Sequence, residues 1–321
     1  MSLAAAKAFT PASHLTDTVL MVRPEGFAFN VQTGEDNEFQ HHLDASAEQI
    51  RQQALAEFAA MVARLEAEGV DVLVLEKDPR GITPPDAVFP NNWFTTTSTG
   101  EIYIYPMLTP NRREERRVNC ISQLLLDNQH SIEQVTWVGH PFKEDQILEG
   151  TGAMIIDHAT GTVYAALSER CDEELLEKFI AMSGLRRSMT FHTESSTGKP
   201  IYHTNVMMSI GEGFAVLCSE SFTDSKELTR IKQNLSATHE IIDISLAQME
   251  QSFCGNILNI RNRQGEPLIV MSQSAFDGFT EAQRETLSKY GKIIANPVPT
   301  IEQIGGGSCR CMLAEIFLPK A

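Results

Sequence analysis

Four short stretches of this chain place reactive or hydrogen-bonding side chains beside residues that bend the backbone. The first is Gly305-Gly306-Gly307-Ser308-Cys309-Arg310-Cys311-Met312. Three glycines let a backbone approach a ligand closely and adopt conformations other residues avoid. A thiol beyond such a loop, leading into the apolar run Leu313 to Leu318, can stand at a pocket mouth as a nucleophile. A plain turn before a last strand reads equally well. The second stretch is Pro200-Ile201-Tyr202-His203-Thr204-Asn205-Val206-Met207-Met208, where a lone histidine between a turn and an apolar strand reads by itself as an ordinary buried one. The third, Leu148-Glu149-Gly150-Thr151-Gly152, puts a carboxylate before a flexible turn. The fourth, Asp86-Ala87-Val88-Phe89-Pro90-Asn91-Asn92-Trp93-Phe94, interleaves polar side chains with aromatics, as a small-molecule site does and as an amide-capped hydrophobic turn also does.

Five amphipathic helices would have to position these stretches. The first spans about 46–68, with Ser46 and Gln49 as a capping box, Ile50, Ala54, Phe58, Met61 and Leu65 at helical spacing, and Gly69 as the stop. The others span about 112–128, 172–183, 225–237 and 280–291, the last opened by a Thr280–Gln283 box. A β-rich run follows each helix: Val72 to Leu75, Gln134 to Val138, Arg187 to Phe191, Ile241 to Ile244 and Ile293 to Val298. Another precedes each: Val19 to Val22, Ile102 to Tyr105, Val163 to Ala166, Phe214 to Cys218 and Leu268 to Met271. Helix starts recur every 50–70 residues or so, which is a repeat signal even where the residues differ. The period predicts five α/β units around one central site, although an open α/β sheet has the same periodicity. The four chemical stretches lie in four different units and meet only if the units close around a centre.

Composition narrows the class. A chain of 321 residues with 42% hydrophobic and 21% charged residues reads as a soluble globular protein with a large core. No apolar run approaches a membrane span, and Met1 to Thr10 lacks the apolar core of a signal peptide, so the expected location is the cytoplasm. A net charge of −16 without a basic block argues against nucleic acid. Arg112, Arg113, Arg116 and Arg117 enclose Glu114 and Glu115, which reads as a helical ion-pair surface. The six cysteines form neither a disulfide framework nor paired C-x-x-C metal motifs, and Cys120, Cys171 and Cys218 read as buried inert thiols.

Together the ordered set Phe-Pro-Asn-Asn, Leu-Glu-Gly, Tyr-His-Thr-Asn and Gly-Gly-Gly-Ser-x-Arg-Cys-Met resembles the guanidine-modifying (pentein) superfamily, over most of the chain. Within it the chain resembles the arginine-deiminase-related, amidinotransferase-like citrulline-utilisation hydrolases. The resemblance implies a five-bladed α/β propeller of ββαβ-type units with pseudo-five-fold symmetry, forming a single catalytic domain over residues 1–321. It implies Cys311 as nucleophile, His203 as acid/base and Glu149 as supporting carboxylate. It further implies Arg112 and Arg170 as clamps on a substrate α-carboxylate, Asp86 as a contact to the α-amino group, Phe89 as a flanking ring and Asn256 as part of a structural turn. Neither a metal nor an organic cofactor is implied. The partner is a small amino-acid substrate, and a homo-oligomer is left open.

The chain departs from the family where deiminases bind a cationic guanidinium. Asn92, Asn205 and Gly152 stand at positions that are usually Asp. An amide donates hydrogen bonds as well as accepting them, whereas a carboxylate only accepts. That suits a neutral ureido group and favours hydrolysis of citrulline to ornithine, carbon dioxide and ammonia. Arginine dihydrolase ranks second, arginine deiminase third and amidinotransferase fourth. A non-catalytic propeller acting as a binding module is the alternative from another class.

Overall fold

The structure is a computed structural model that describes residues 9, 11–13, 15–34, 37–140 and 145–320. Apart from Phe9, the segment Met1 to Thr10 lies outside the described residues. The first and fifth long helices begin at the capping boxes read from the sequence. Ser46 accepts from Gln49 and Thr280 from Gln283, both in full capping boxes, while Asp172 caps the helix Glu173–Ser183. The helix Ala47–Ala67 buries Ile50, Ala54, Phe58, Met61 and Leu65, the five residues whose spacing marks its apolar face. Gly184 closes the third helix in a left-handed conformation, φ 77°, which glycine adopts without steric cost.

Each long helix crosses between two parallel strands, and a third strand pairs antiparallel on the other side. Five separate three-stranded sheets result among the described residues, and none closes on itself. Four are built in one stretch of chain. Their members are Phe94–Thr96, Glu101–Ile104 and Gln134–Trp137; Ile155–Asp157, Thr162–Ala166 and Arg187–Phe191; Met208–Gly211, Phe214–Leu217 and Glu240–Asp243; and Leu258–Arg261, Pro267–Ser272 and Lys292–Asn296. The remaining sheet joins the two ends of the chain. Thr18–Val22 pairs parallel with Asp71–Leu75 and antiparallel with Ala314–Glu315, in the register Val19 to Glu315 and Leu20 to Ala314. Antiparallel outer strands of neighbouring sheets also lie side by side: 314–315 beside 94–96, 155–157 beside 208–211, and 208–211 beside 258–261.

The second helix departs from expectation. It splits into a single turn, Pro110–Arg113, and a helix Val118–Asp127. The arginine-rich stretch between is not an exposed ion-pair surface: Arg112 and Glu115 are buried and paired with each other, and Arg113 donates to the carbonyls of Met107 and Leu108. Turning these side chains inward breaks the helix. Cys171 and Cys218 are buried as expected, whereas Cys120 is only partly so; all six cysteines are free thiols. No helix among the described residues is long and apolar enough to cross a membrane.

The Ser46 cap is exposed, and its side chain hydrogen-bonds to Gln49 of the same helix. Replacing Ser46 by Ala is expected to lower stability by about 1 kcal/mol, read as a lower denaturant midpoint with unchanged slope, and to leave any catalytic activity intact.

Candidate active site

The segment leading into each antiparallel outer strand carries one part of the site. Pro90–Asn92 precedes strand 94–96, Glu149 and the turn Gly150–Ala153 precede strand 155–157, and His203 with the turn Thr204–Met207 precedes strand 208–211. Cys254-Gly255-Asn256 precedes strand 258–261, and Ser308 to Met312 precede strand 314–315. These lead-ins pack on one another at backbone distance. A Cβ on Gly150 would lie 2.5 Å from the Asn91 carbonyl oxygen, and one on Gly255 would lie 2.2 Å from that of Val206. Thr204 donates to the Ala153 carbonyl at 2.6 Å and accepts from the Ala166 N–H at 2.8 Å, fixing the histidine's turn against its neighbour. Tyr202 donates to the Gly306 carbonyl at 2.7 Å, which ties the histidine's other flank to the cysteine's loop.

That loop needs its glycines. The Phe89 ring lies where side chains on Gly305 and Gly307 would go, at 2.7 and 3.0 Å, and Gly306 ends the helix Pro299–Gly305 with φ 63°. Phe89 and Cys311 share one apolar cluster. Asn37 and Gln40 donate to the Gly305 carbonyl, so the segment before the first helix covers the loop.

Glu149 is the electrostatic centre. One of its oxygens, Oε1, accepts from the Leu108 N–H at 2.9 Å. The other, Oε2, lies 2.8 Å from His203 Nε2, 3.3 Å from Arg170 and 3.7 Å from Arg112. Burial alone would raise the pKa of this carboxyl, but Arg170, the His203 hydrogen bond and Arg112 together hold it well below the usual carboxylate range. Burial pushes His203 down to about 4, against the pull of Glu149 and with the help of the two arginines. An ionised Glu149 can only accept, so neutral His203 carries its proton on Nε2 and presents an unprotonated Nδ1. That nitrogen faces Gly152. A Cβ there would stand 2.9 Å from Nδ1 and 2.2 Å from Asn92 Nδ2, so this position must stay bare.

The antiparallel bridge between Leu148 and Cys171 sets Arg170 beside Glu149, and its guanidinium lies over the Tyr202 ring. Arg112 donates to both oxygens of Glu115 at 3.0 Å, to Asn92 Oδ1 at 2.9 Å and to the Phe89 carbonyl at 3.4 Å. Both arginines expected to clamp an α-carboxylate are thus engaged with acidic side chains of the protein. Burial and the neighbouring carboxylates, Asp86 and Glu149, lift Glu115 to about 7 although Arg112 opposes it. Asp86 Oδ2 accepts from Asn30 at 2.6 Å and Thr33 at 3.1 Å, while Oδ1 is buried and has no partner among the described residues. Around the sulfur, Asn205 Nδ2 lies 3.4 Å and Asn256 Nδ2 3.2 Å from Cys311 Sγ. Burial, Glu302 and Cys311 push the Cys309 thiol well above its ordinary range, so Cys309 is a weak nucleophile. A cavity of 630 Å³ behind the site reaches only Thr151 of the Glu149 turn and lies away from Cys311.

All nine residues expected at the site are buried here. Direct contacts join Arg112, Arg170 and His203 to Glu149 and Asn92 to Arg112, and separately join Asn205 with Cys311. Sequence reading missed Glu115 and assigned Asn256 to structure alone. It also passed over Asn30 and Thr33, whose signal was a polar cluster between Phe27 and Phe39.

The family model for eukaryotic N,N dimethylarginine dimethylhydrolase matches residues 23–318. The chain belongs to this family. It is a hydrolase of C–N bonds in the pentein superfamily, so the non-catalytic reading falls away. No curated protein matches the chain. Among solved structures, the N-terminal domain of a variant of ArgZ, covalently bound to a reaction intermediate, aligns with TM-score 0.69 at 15% identity, over 94% of this chain and 99% of that one. Apo ArgZ, an arginine dihydrolase from the ornithine-ammonia cycle in cyanobacteria, aligns with TM-score 0.70 at 15% identity, over 95% of this chain but 41% of its own length. A variant dimethylarginine dimethylaminohydrolase, as its adduct with S-methyl-L-thiocitrulline, aligns with TM-score 0.62 at 15% identity, over 92% and 98%. These likenesses establish a shared mixed α/β fold.

Two outcomes follow from the geometry. Gly152→Ala forces Asn92 and His203 apart and is expected to lower turnover by about a hundredfold or more, with the far-ultraviolet spectrum unchanged. The second concerns pH. His203 has a folded pKa near 4, below its unfolded value of about 6.5. The unfolded chain therefore binds the extra proton, and stability is lost as pH falls from about 6.5 towards 4. Protonation of Glu149, also depressed in the fold, removes more at lower pH. Denaturant titrations across this range should show a shallower loss for His203→Gln than for the wild type.

Proposed function

We propose that this protein hydrolyses the ureido C–N bond of an arginine-like amino acid, with citrulline as the best fit and ornithine, carbon dioxide and ammonia as products. The orientation of Asn92 carries this reading. Arg112 can only donate, and it donates to Asn92 Oδ1 at 2.9 Å. The amide is thereby turned so that its N–H groups face away from Arg112; one meets Asn91 Oδ1 at 3.0 Å, and the Nδ2 atom stands over Gly152 beside His203. A fixed donor at the head group matches the oxygen of a urea and opposes the N–H groups of a guanidinium. Asn205 presents the complementary face: its Oδ1 is buried and unpartnered among the described residues, ready for a ureido N–H.

In this reading the Cys311 sulfur attacks the ureido carbon and its proton passes to Nδ1 of His203. Collapse of the tetrahedral adduct breaks the bond to the terminal nitrogen, which leaves as ammonia with that proton. The resulting thiocarbamate is attacked by water, His203 again taking the proton, and Cys311 departs as the thiol. The carbamic acid released loses carbon dioxide to give the amine. Glu149 holds the imidazole in the required tautomer and stabilises the imidazolium. Arg170 and Arg112 keep Glu149 ionised, in place of the α-carboxylate clamp that the family resemblance implies for them. The unpartnered Asp86 Oδ1 receives the substrate α-ammonium, and the five sheets act as the blades of a pentein propeller around this centre.

Arginine dihydrolysis is the second reading, favoured by the unpaired Asn205 Oδ1, which accepts from a guanidinium N–H as readily as from a ureido one. Incubation with citrulline, arginine and agmatine, followed by assay of ornithine, citrulline, putrescine and ammonia, separates the two. Ornithine from citrulline alone supports the first reading. Ornithine from arginine without free citrulline supports the second, and citrulline as the end product refutes both. Cys311→Ser should reduce turnover to the detection limit while Cys309→Ser remains active; the reverse pattern would move the nucleophile by two residues. Asn92→Asp should lower kcat/KM for citrulline by about ten- to a hundredfold, the cost of facing two acceptors, while sparing or improving arginine. Asn205→Asp keeps the acceptor and should depress both substrates alike. A citrulline-to-arginine ratio within about twofold of wild type in Asn92→Asp would remove Asn92 from head-group choice.

A further inference from the structure

Four of the five sheet lead-ins supply residues already assigned to the reaction; the fifth, Cys254-Gly255-Asn256, has been given only a structural part. Its position is costly to build. Phe253, a bulky residue, sits in the left-handed region with φ 53°, and Gly255 lies against the Val206 carbonyl so closely that no side chain fits. This geometry delivers the Asn256 amide to the cysteine. Its Oδ1 accepts the Arg310 N–H at 3.1 Å, so the amide cannot be turned over without losing that bond. Its Nδ2 then donates to the Asn205 carbonyl at 3.0 Å and lies 3.2 Å from Cys311 Sγ. Asn205 Nδ2 approaches the same sulfur at 3.4 Å. His203 offers the sulfur no fixed N–H, since its Nε2 proton is held by Glu149.

We propose that Asn256, with Asn205, forms an amide cradle that receives the charge developing on the Cys311 sulfur as its proton passes to His203 Nδ1, so that the imidazolium formed in this step carries that proton on to the leaving group. This rests on Cys311 being the nucleophile. Hydrogen bonds to a charged acceptor are about twice as strong as those to a neutral one, so the two amide donors gain strength as negative charge develops on the sulfur during attack. Asn256 touches the reacting atom and is therefore a catalytic residue in its own right. Because its carbonyl is locked to the backbone of Arg310, the cradle is in place before substrate arrives.

The test uses the intact protein and needs no substrate. Iodoacetamide labelling of each cysteine is followed by mass spectrometry across a pH series in the wild type and in Asn256→Asp. The variant keeps the acceptor for Arg310 but loses the donor to sulfur. In the wild type Cys311 should label faster than the other five cysteines. In Asn256→Asp its neutral-pH rate should fall about tenfold or more and recover at alkaline pH, where the thiol ionises unaided. Wild-type Cys311 labelling no faster than the rest refutes the nucleophile reading and the cradle with it. Preferential wild-type labelling with an unchanged variant overturns the cradle alone, as does a loss equal at every pH, which reports blocked access. If Asn256→Asp loses its native far-ultraviolet spectrum, Asn205→Asp replaces it; that side chain makes no backbone-locking bond, and unchanged labelling there overturns the cradle.

Discussion

Everything at the centre of this molecule depends on keeping one carboxylate charged where water does not reach it. Glu149 is fully buried, and an unpaired charge there would be expensive enough to neutralise itself. It stays ionised because both oxygens are met: a backbone N–H on Oε1, and His203, Arg170 and Arg112 around Oε2. Those partners come from three different stretches of chain, around 108–112, 170 and 203, so the carboxylate is also the point at which separate sheets are tied together. Such a cluster is weak evidence for net stability, since its Coulombic gain is offset by desolvation. Its value lies in orientation. Glu149 selects the tautomer of His203, and Arg112, in reaching for Glu149 and Glu115, decides which way the Asn92 amide points.

The five units use one backbone solution to bring five lead-ins to a common centre. In each, a short lead-in turns into an outer strand, and the side chain before the strand faces the neighbouring lead-ins. Asn92, Glu149, His203 with Asn205, Asn256 and Cys311 therefore meet although 219 positions separate the first from the last. Close packing requires bare backbone at the crossings, and Gly150, Gly152, Gly255, Gly305 and Gly307 stand there. Pairing of strand 314–315 with 18–22 adds a further constraint: the cysteine's own sheet is complete only when both ends of the chain are in place.

Much of the scaffold was legible because its signals are local. Capping boxes at Ser46 and Thr280 and the apolar face from Ile50 to Leu65 need no tertiary context. The outer strands were harder to read. Phe94–Thr96, Ile155–Asp157 and Ala314–Glu315 have two or three residues each, too few for period-two alternation to stand out. Arg112 and Glu115 were misread for a different reason. Opposite charges three apart are the mark of a solvated helix face, and only the third dimension reveals that this pair is turned inward against Glu149. Asn256 had a usable signal, a Gly-Asn pair just ahead of an apolar run, in the same place relative to its strand as the other lead-ins. Its approach to Cys311 Sγ stayed hidden because an amide beside a turn is ordinarily a backbone cap.

The charges buried around Asn92 bear on the nature of the head group. Asp86, Glu115 and Glu149 face two guanidiniums, Arg112 and Arg170, with His203 neutral. Were all three acids ionised, the centre would carry an excess negative charge and would attract a cation. Glu149 is held ionised, but Glu115 is lifted to about 7 and Asp86 is raised by burial even against Arg112. Glu115, near 7, can take up the surplus proton close to neutral pH, leaving two anions against two cations. The unpartnered Asp86 Oδ1 is open to a donor, and in the reading proposed above an α-ammonium there would favour an ionised Asp86. What remains at the Cys311 end is a pair of neutral amides with no carboxylate of their own, in which the cost of desolvating a substrate's head group is lowest when that group is itself uncharged.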